Sequence, residues 1–205
     1  EFLLLDELNR AQPKTQSALL EVMEERQVSH DMETYKLPDY YMVVATKNPY
    51  EEIGTFKLPL SQLDRFTSSI SLGHPEKSVE REILKRTDIQ QTQMESIISV
   101  EELMEIQKIV PTITLSDTIL DEIQDIIAYT RQDDSFVSGI STRGALSFVR
   151  LLQAYAFLHG RDYVKPEDIR DTLESVLRHR IVTKDSKVLN QKDIDRFYAQ
   201  TDRNI

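Results

Sequence analysis

The sequence predicts an α/β unit followed by an all-helical unit, and three observations carry that expectation. Phe2-Leu3-Leu4-Leu5 and Tyr41-Met42-Val43-Val44-Ala45-Thr46 are apolar runs of strand length, each closed by polar residues. Helix and hairpin signals lie between them, the alternation expected of a parallel sheet. Beyond Gly73-His74-Pro75, apolar residues recur at helical spacing.

The elements follow in order. Phe2 to Leu5 reads as a strand buried on both faces, as parallel strands under helices are. Pro13 suits the first turn of a helix, along which Leu19, Val22 and Met23 recur at helical spacing. From Gln27 to Leu37, Val28 and Tyr35 flank Asp31-Met32-Glu33, the pattern of a hairpin. Tyr41 to Thr46 is a second buried strand, ended by Lys47-Asn48-Pro49. Phe66 to Leu72 is the candidate for a third, closed by Gly-His-Pro. The boundary there divides the chain into residues 1–75 and 76–205.

In the second part Ser99 and Glu102 form a capping box for a helix carrying Leu103, Ile106 and Val110. Ser116 caps the next, with Ile119, Ile123, Ile126 and Ile127 on one face. A third runs from about residue 142 to 159, with Ala145, Phe148, Val149, Leu152 and Tyr155 inward and Gly160 as its stop. Pro166 starts a fourth, bearing Ile169, Leu173, Val176 and Leu177. A short helix is expected around Ile194–Tyr198.

Composition narrows the chemistry. The chain has 205 residues and no cysteine, which excludes disulfides, zinc–thiolate sites and a cysteine nucleophile, and fits the cytoplasm. No apolar run is long enough to span a membrane. The net charge of −10 is spread evenly, with 7 basic and 12 acidic residues up to position 75. No basic stripe marks a nucleic-acid surface, so nucleic-acid binding is disfavoured.

Asp6-Glu7 stands at the C-terminal end of the first strand, where ligands bind in open α/β sheets. One carboxylate there can hold Mg²⁺ and the next orient or deprotonate a water, although acidic residues also suit a helix start. Asn48 ends the second strand at a comparable position and could hold the attacking water or touch a γ-phosphate. Arg65, in Gln62-Leu63-Asp64-Arg65-Phe66, either pairs with Asp64 or reaches a neighbouring subunit's phosphates. Arg143 opens a helix, against the dipole preference for acidic residues there. Arg178-His179-Arg180 reads as capping or interface packing. The histidines at 30, 74 and 159 are too scattered for a metal site, and no serine shows a His–Asp partnership.

Leu5-Asp6-Glu7-Leu8-Asn9-Arg10-Ala11, the run from Pro13 to Val28, Ala45-Thr46-Lys47-Asn48-Pro49, Gly54-Thr55-Phe56-Lys57-Leu58-Pro59, Gln62 to Phe66, Ser141-Thr142-Arg143 and Leu177-Arg178-His179-Arg180-Ile181 strongly resemble the MoxR branch of AAA+ ATPases. They follow the family's order over residues 1 to about 182. The resemblance implies a partial AAA+ P-loop core and an α-helical lid. It implies ATP and Mg²⁺ as cofactors. Asp6 would be the Walker B carboxylate associated with Mg²⁺ through water, and Glu7 the base for water. Asn48 would be sensor 1, Arg65 the arginine finger acting on the adjacent protomer, and Arg143 the sensor 2 arginine, in a clade where that residue serves a neighbour's nucleotide. The segment 27–37 would be the hairpin that marks this clade.

The implied function is an ATPase that couples hydrolysis at the interfaces of a ring homo-oligomer, a hexamer in the family, to chaperone-like remodelling of protein clients. A von Willebrand factor A-type partner is often involved. The other readings are a non-catalytic assembly scaffold and, disfavoured by charge, a DNA-associated motor. Lys47 stands where the family usually has Gln, and Leu60-Ser61 where it has an acidic and a small residue. Neither change removes a group with an assigned role. No glycine loop ending in Lys-Ser/Thr is present, so the expectation is an upstream segment of roughly 100 or more residues that carries it.

Overall fold

The computed structural model describes residues 2–48, 54–85, 95–184, 189 and 191–201. The first strand, β1 (Phe2–Leu5), leads through a turn of 3-10 helix at Leu8–Arg10 into α1 (Pro13–Glu25), with Pro13 in its first turn as expected. A hairpin follows, β2 (Gln27–His30) with antiparallel β3 (Glu33–Lys36). Its two loop residues, Asp31 and Met32, have φ of 47° and 67°. Positive φ at both positions matches the right-handed twist of the flanking strands. Next comes β4 (Met42–Ala45), which pairs in parallel with β1, Phe2 opposite Met42 and Leu5 opposite Ala45. Pro49, expected to end this strand's turn, lies outside the described residues.

Burial on both faces does not hold for these strands. Leu3, Leu5, Val43 and Ala45 pack with Leu8, Leu19 and Leu58 over α1. The alternate residues Phe2, Leu4, Met42 and Val44 face outward, Phe2 70% exposed and Leu4 68%. The side-chain period of two sends every second residue to the opposite face, and no described element covers that face.

A short α2 (Leu60–Leu63) precedes the segment expected to be the third strand. Phe66 to Leu72 is not a strand. Its backbone groups are used elsewhere: Ser69 N–H donates to Ser175 O at 2.8 Å, and the Phe66 and Thr67 carbonyls accept from Arg180 at 2.6 and 3.2 Å. These three groups pair with Ser175 and Arg180 and not with a strand.

The helical part comprises α3 (Lys77–Lys85), α4 (Val100–Ile109), α5 (Asp117–Gln132), α6 (Thr142–Leu158), α7 (Pro166–Leu177) and α8 (Gln191–Thr201). The caps follow the sequence. Ser99 and Glu102 make the reciprocal capping box, Ser116 accepts from Ile119 N–H, and Ser141 from Gly144 N–H. Gly160 takes φ of 67° just past α6, the left-handed position that favours glycine. The core gathers Ile119, Ile123, Ile126, Phe148, Leu152, Ile169, Leu173, Val176 and Leu177 from α5, α6 and α7. The tail helix α8 belongs to this core through Ile194 and Phe197. Phe197 stacks on Phe136 at 5.6 Å and meets Tyr129 edge-on at 5.2 Å. No helix among the described residues is long and apolar enough to cross a membrane.

Candidate functional site

Parallel pairing of β1 with β4 brings the two strand ends to one edge, so Asp6, Glu7 and Asn48 share it. Thr46 organises the edge. Its hydroxyl donates to Asp6 Oδ1 at 2.5 Å and accepts the Glu7 N–H at 2.8 Å. Its amide donates to Leu5 O, and its carbonyl accepts from Leu8 N–H, both at 2.9 Å. Glu7 sits in the left-handed region with φ of 50° and ψ of 54°, a conformation that costs a non-glycine residue roughly 1 kcal/mol or more. Thr46 holds it there. The Glu7 carboxylate pairs with Arg10 Nε at 3.0 Å. Asn9 is 4% exposed, and its Nδ2 donates to Asn48 O at 3.5 Å, tying the turn after β1 to the end of β4.

This donor set suits a metal held mainly by water and phosphate. No group of three or more His, Asp or Glu able to cage an ion occurs among the described residues. Mg²⁺ is ordinarily bound by one or two carboxylates plus substrate phosphates, and Asp6 beside the Thr46 hydroxyl meets that requirement.

Arg65 and Arg143 lie elsewhere. Both guanidiniums reach Glu24, near the C-terminal end of α1: Arg65 Nη1 contacts Oε2, and Arg143 Nη2 lies 2.5 Å from Oε1. Asp64 is therefore not the partner of Arg65. Burial, and then the positive charge of Arg143, push the Arg65 pKa below that of a free arginine. The Arg65 side chain is 17% exposed, and its buried Nε makes no hydrogen bond. Arg143 is half exposed.

Asp64 instead joins the two parts of the chain. It accepts from Arg180 Nε at 2.9 Å and from the Ser141 hydroxyl at 2.6 Å. Arg180, its side chain 1% exposed, also donates to the carbonyls of Asp64, Phe66, Thr67 and Val176. Beside it His179 Nε2 lies 2.9 Å from Phe66 O, the imidazole being the donor to that carbonyl. Burial and then the Arg180 charge push the His179 pKa down to about 4, so the ring is neutral near pH 7. Gly144 is needed at this junction: a Cβ there would come within 2.9 Å of Arg180 Nε. His179 and Arg180 thus pack the junction, one of the two readings their sequence offered, while Arg178 pairs with Glu174 one turn back.

The structure therefore forms two groups from the predicted residues. Asp6, Glu7 and Asn48 share one edge; Arg65 and Arg143 share Glu24. Sequence reasoning passed over Thr46, Glu24 and the Asp64–Arg180 pair. Thr46 and Glu24 lie inside the family-like segments, but only pairings 39 to 40 residues apart for Thr46, and 116 for Asp64, expose the roles of these residues.

Comparison with known proteins agrees with this architecture. Residues 1–68 match the family described as "ATPase family associated with various cellular activities (AAA)", and residues 128–196 match the AAA lid domain. The chain is 41% identical to the uncharacterised protein YeaC of Bacillus subtilis strain 168 over 88% of its length, covering 57% of that relative. It is 38% identical to chaperone MoxR1 of Mycobacterium tuberculosis over 88% of its length, covering 50% of it. A crystal structure of a presumptive ATPase from Cytophaga hutchinsonii superimposes with a TM-score of 0.86 and 34% identity, over 97% of this chain and 65% of that one. The chain spans about half the length of the curated relatives it matches. A parallel strand pair ending in Asp-Glu, an antiparallel hairpin after α1 and a helical lid, joined with these relationships, establish that the chain belongs to the MoxR family of AAA ATPases.

Proposed function

We propose that this chain forms the Walker B, sensor and lid portion of an ATPase that hydrolyses Mg-ATP between copies arranged in a ring, with the α/β part ending near residue 75. The single observation that carries this reading is the separation of the predicted site into two groups at opposite ends of α1. Gln16 bonds the Leu8 and Ala11 carbonyls near the Asp6-Glu7 edge. Glu24 lies eight residues further on, about 12 Å along the axis at about 1.5 Å per residue. Arginines held at Glu24 are thus drawn toward the far end of α1, away from the Asp6-Glu7 edge of the same copy. They suit the phosphates of a neighbour, the head-to-tail arrangement that closes into a ring.

In this reading Asp6 orients water around the metal, and Mg²⁺ when bound would neutralise phosphate charge. Glu7, released from Arg10, accepts the proton of the attacking water. Asn48 presents an amide from the adjacent strand end to that water or to the γ-phosphate. Arg65 and Arg143 meet negative charge that develops in the neighbouring site. Remodelling of protein clients is supported by the description of the M. tuberculosis relative as a chaperone, and a cytoplasmic setting fits the cysteine-free composition. A von Willebrand factor A-type partner rests on the family resemblance alone.

Complementation tests the proposal. In the full-length protein, Glu7→Gln should abolish ATP turnover while sparing nucleotide binding, and Arg65→Ala should lower turnover by about 10³-fold or more. Mixing the two inactive variants should restore activity, since one supplies intact arginines and the other an intact carboxylate. Hydrolysis by Glu7→Gln at the parent rate would overturn the role given to Glu7, and an absence of turnover in the full-length parent would favour a scaffold. Failure of the mixture to recover would place the arginines and carboxylates in the same copy's site.

A further inference from the structure

We propose that Glu24 is a positioning residue that holds Arg65 and Arg143 together as one two-arginine receptor for a phosphate of a nucleotide bound to another copy of this chain. The inference rests on the functional reading above and deepens it. Two guanidiniums from different parts of the molecule engage the two oxygens of one carboxylate, Arg65 on Oε2 and Arg143 on Oε1 at 2.5 Å. Carboxylate and phosphate present similar acceptor edges to an arginine fork, so the arrangement that fits Glu24 is close to one that fits phosphate. One negative charge faces two positive ones, which leaves the cluster cationic overall and receptive to a further anion.

The backbone beneath both arginines is tied together through one neighbouring side chain, Asp64. Asp64, adjacent to Arg65, accepts from Ser141, two residues before Arg143, at 2.6 Å, and from buried Arg180 at 2.9 Å. The two arginines are therefore carried by elements already locked to each other. What the lock does not supply is a reason for like charges to converge. Glu24 supplies it, and without the carboxylate the half-exposed Arg143 is free to swing away from Arg65. Glu24 itself stands on regular helix, with a side chain 35% exposed, so a substitution there leaves the core untouched.

The separating experiment uses the full-length protein with Glu24→Gln and Glu24→Asp, measuring ATP turnover together with the affinity of each variant for a fluorescent ATP analogue. Glu24→Gln is expected to lower kcat on the order of tenfold to a hundredfold, the cost of misplacing charge by about an ångström. Nucleotide affinity should fall much less, and the thermal midpoint modestly, from the charge left without a partner at Arg65. Glu24→Asp should recover most of the rate, because it restores the charge. Turnover of Glu24→Gln within about twofold of the parent overturns the inference. So does a fall in affinity that matches the fall in kcat. Arg65→Ala keeps the two levels distinct. If it abolishes turnover while Glu24→Gln does not, only the role of Glu24 fails. If Arg65→Ala is itself harmless, the functional reading fails with it.

Discussion

The α/β and helical regions of this chain are stabilised in different ways. In the helical region Phe148, Leu152, Ile169, Leu173, Val176 and Leu177 are wholly buried, and the aromatic residues of α8 close one end. In the α/β region the buried cluster is Leu8, Leu19 and Leu58, backed by half-covered residues, while one face of the sheet presents Phe2, Leu4, Met42 and Val44 to solvent. The chemistry is distributed the other way round. The left-handed Glu7, the Thr46-ordered edge and the cationic pair at Glu24 all involve the α/β region. The helical region contributes Arg143 and the contact with Asp64 that sets its position. A closed core thus acts as an anchor for a region whose polar edges must remain accessible.

The first way to break this comparison is truncation within each core. Phe148→Ala should cost about 3–5 kcal/mol, because a fully buried aromatic leaves a cavity between α6 and its neighbours. Met23→Ala, in the half-covered cluster above the sheet, should cost about 1–2 kcal/mol, since only part of that side chain leaves water on folding. Urea unfolding of the full-length protein reads both. Equal losses would mean that the two regions are stabilised alike.

A slightly smaller effect is expected where the regions meet. Asp64→Asn removes the charge opposite Arg180 but keeps a side chain of the same shape. Buried ion pairs broken at one partner typically lose about 3–5 kcal/mol, and the carbonyls already accepting from Arg180 should hold the loss near the lower bound. The variant should also impair ATP turnover, because Ser141 and Arg143 lose their register against Arg65. A variant that melts like the parent would show that the junction is held by its apolar contacts alone.

Much of this organisation could be read from the residues in order. Pro13, the Ser99–Glu102 box, Ser116, Gly160 and Pro166 are local signals, and their helices begin or end where those signals stand. The pairing of the two apolar runs was also legible, and with it the shared edge of Asp6 and Asn48. Exposure of Phe2 and Leu4 was not, because periodicity reports that a residue is apolar without reporting what covers it. Phe66 to Leu72 has β-compatible composition, yet its backbone partners are Ser175, His179 and Arg180, more than 100 residues away in sequence. The convergence of Arg65 and Arg143 on Glu24 was invisible for the same reason. A lone arginine near an aspartate suggests a local pair, and only the fold reveals that Asp64 is already occupied.

The last prediction concerns pH and again separates the two regions. His179 is buried at their junction, and burial followed by the neighbouring Arg180 charge holds its pKa at about 4, below the 6.5 of a free imidazole. Above pH 6.5 both folded and unfolded chains carry a neutral ring, and this residue contributes no pH dependence. Between 6.5 and about 4 the unfolded chain binds a proton that the folded chain does not, so stability falls as the pH falls. Each pH unit across that window removes up to about 1.4 kcal/mol, on the order of 3 kcal/mol in all. His179→Gln keeps an N–H donor for the Phe66 carbonyl and cannot titrate. Its stability should therefore be nearly flat from pH 6.5 to 4.5, where the parent declines. An identical decline in both proteins would assign the acid sensitivity to the carboxylates and leave the junction histidine without a part in it.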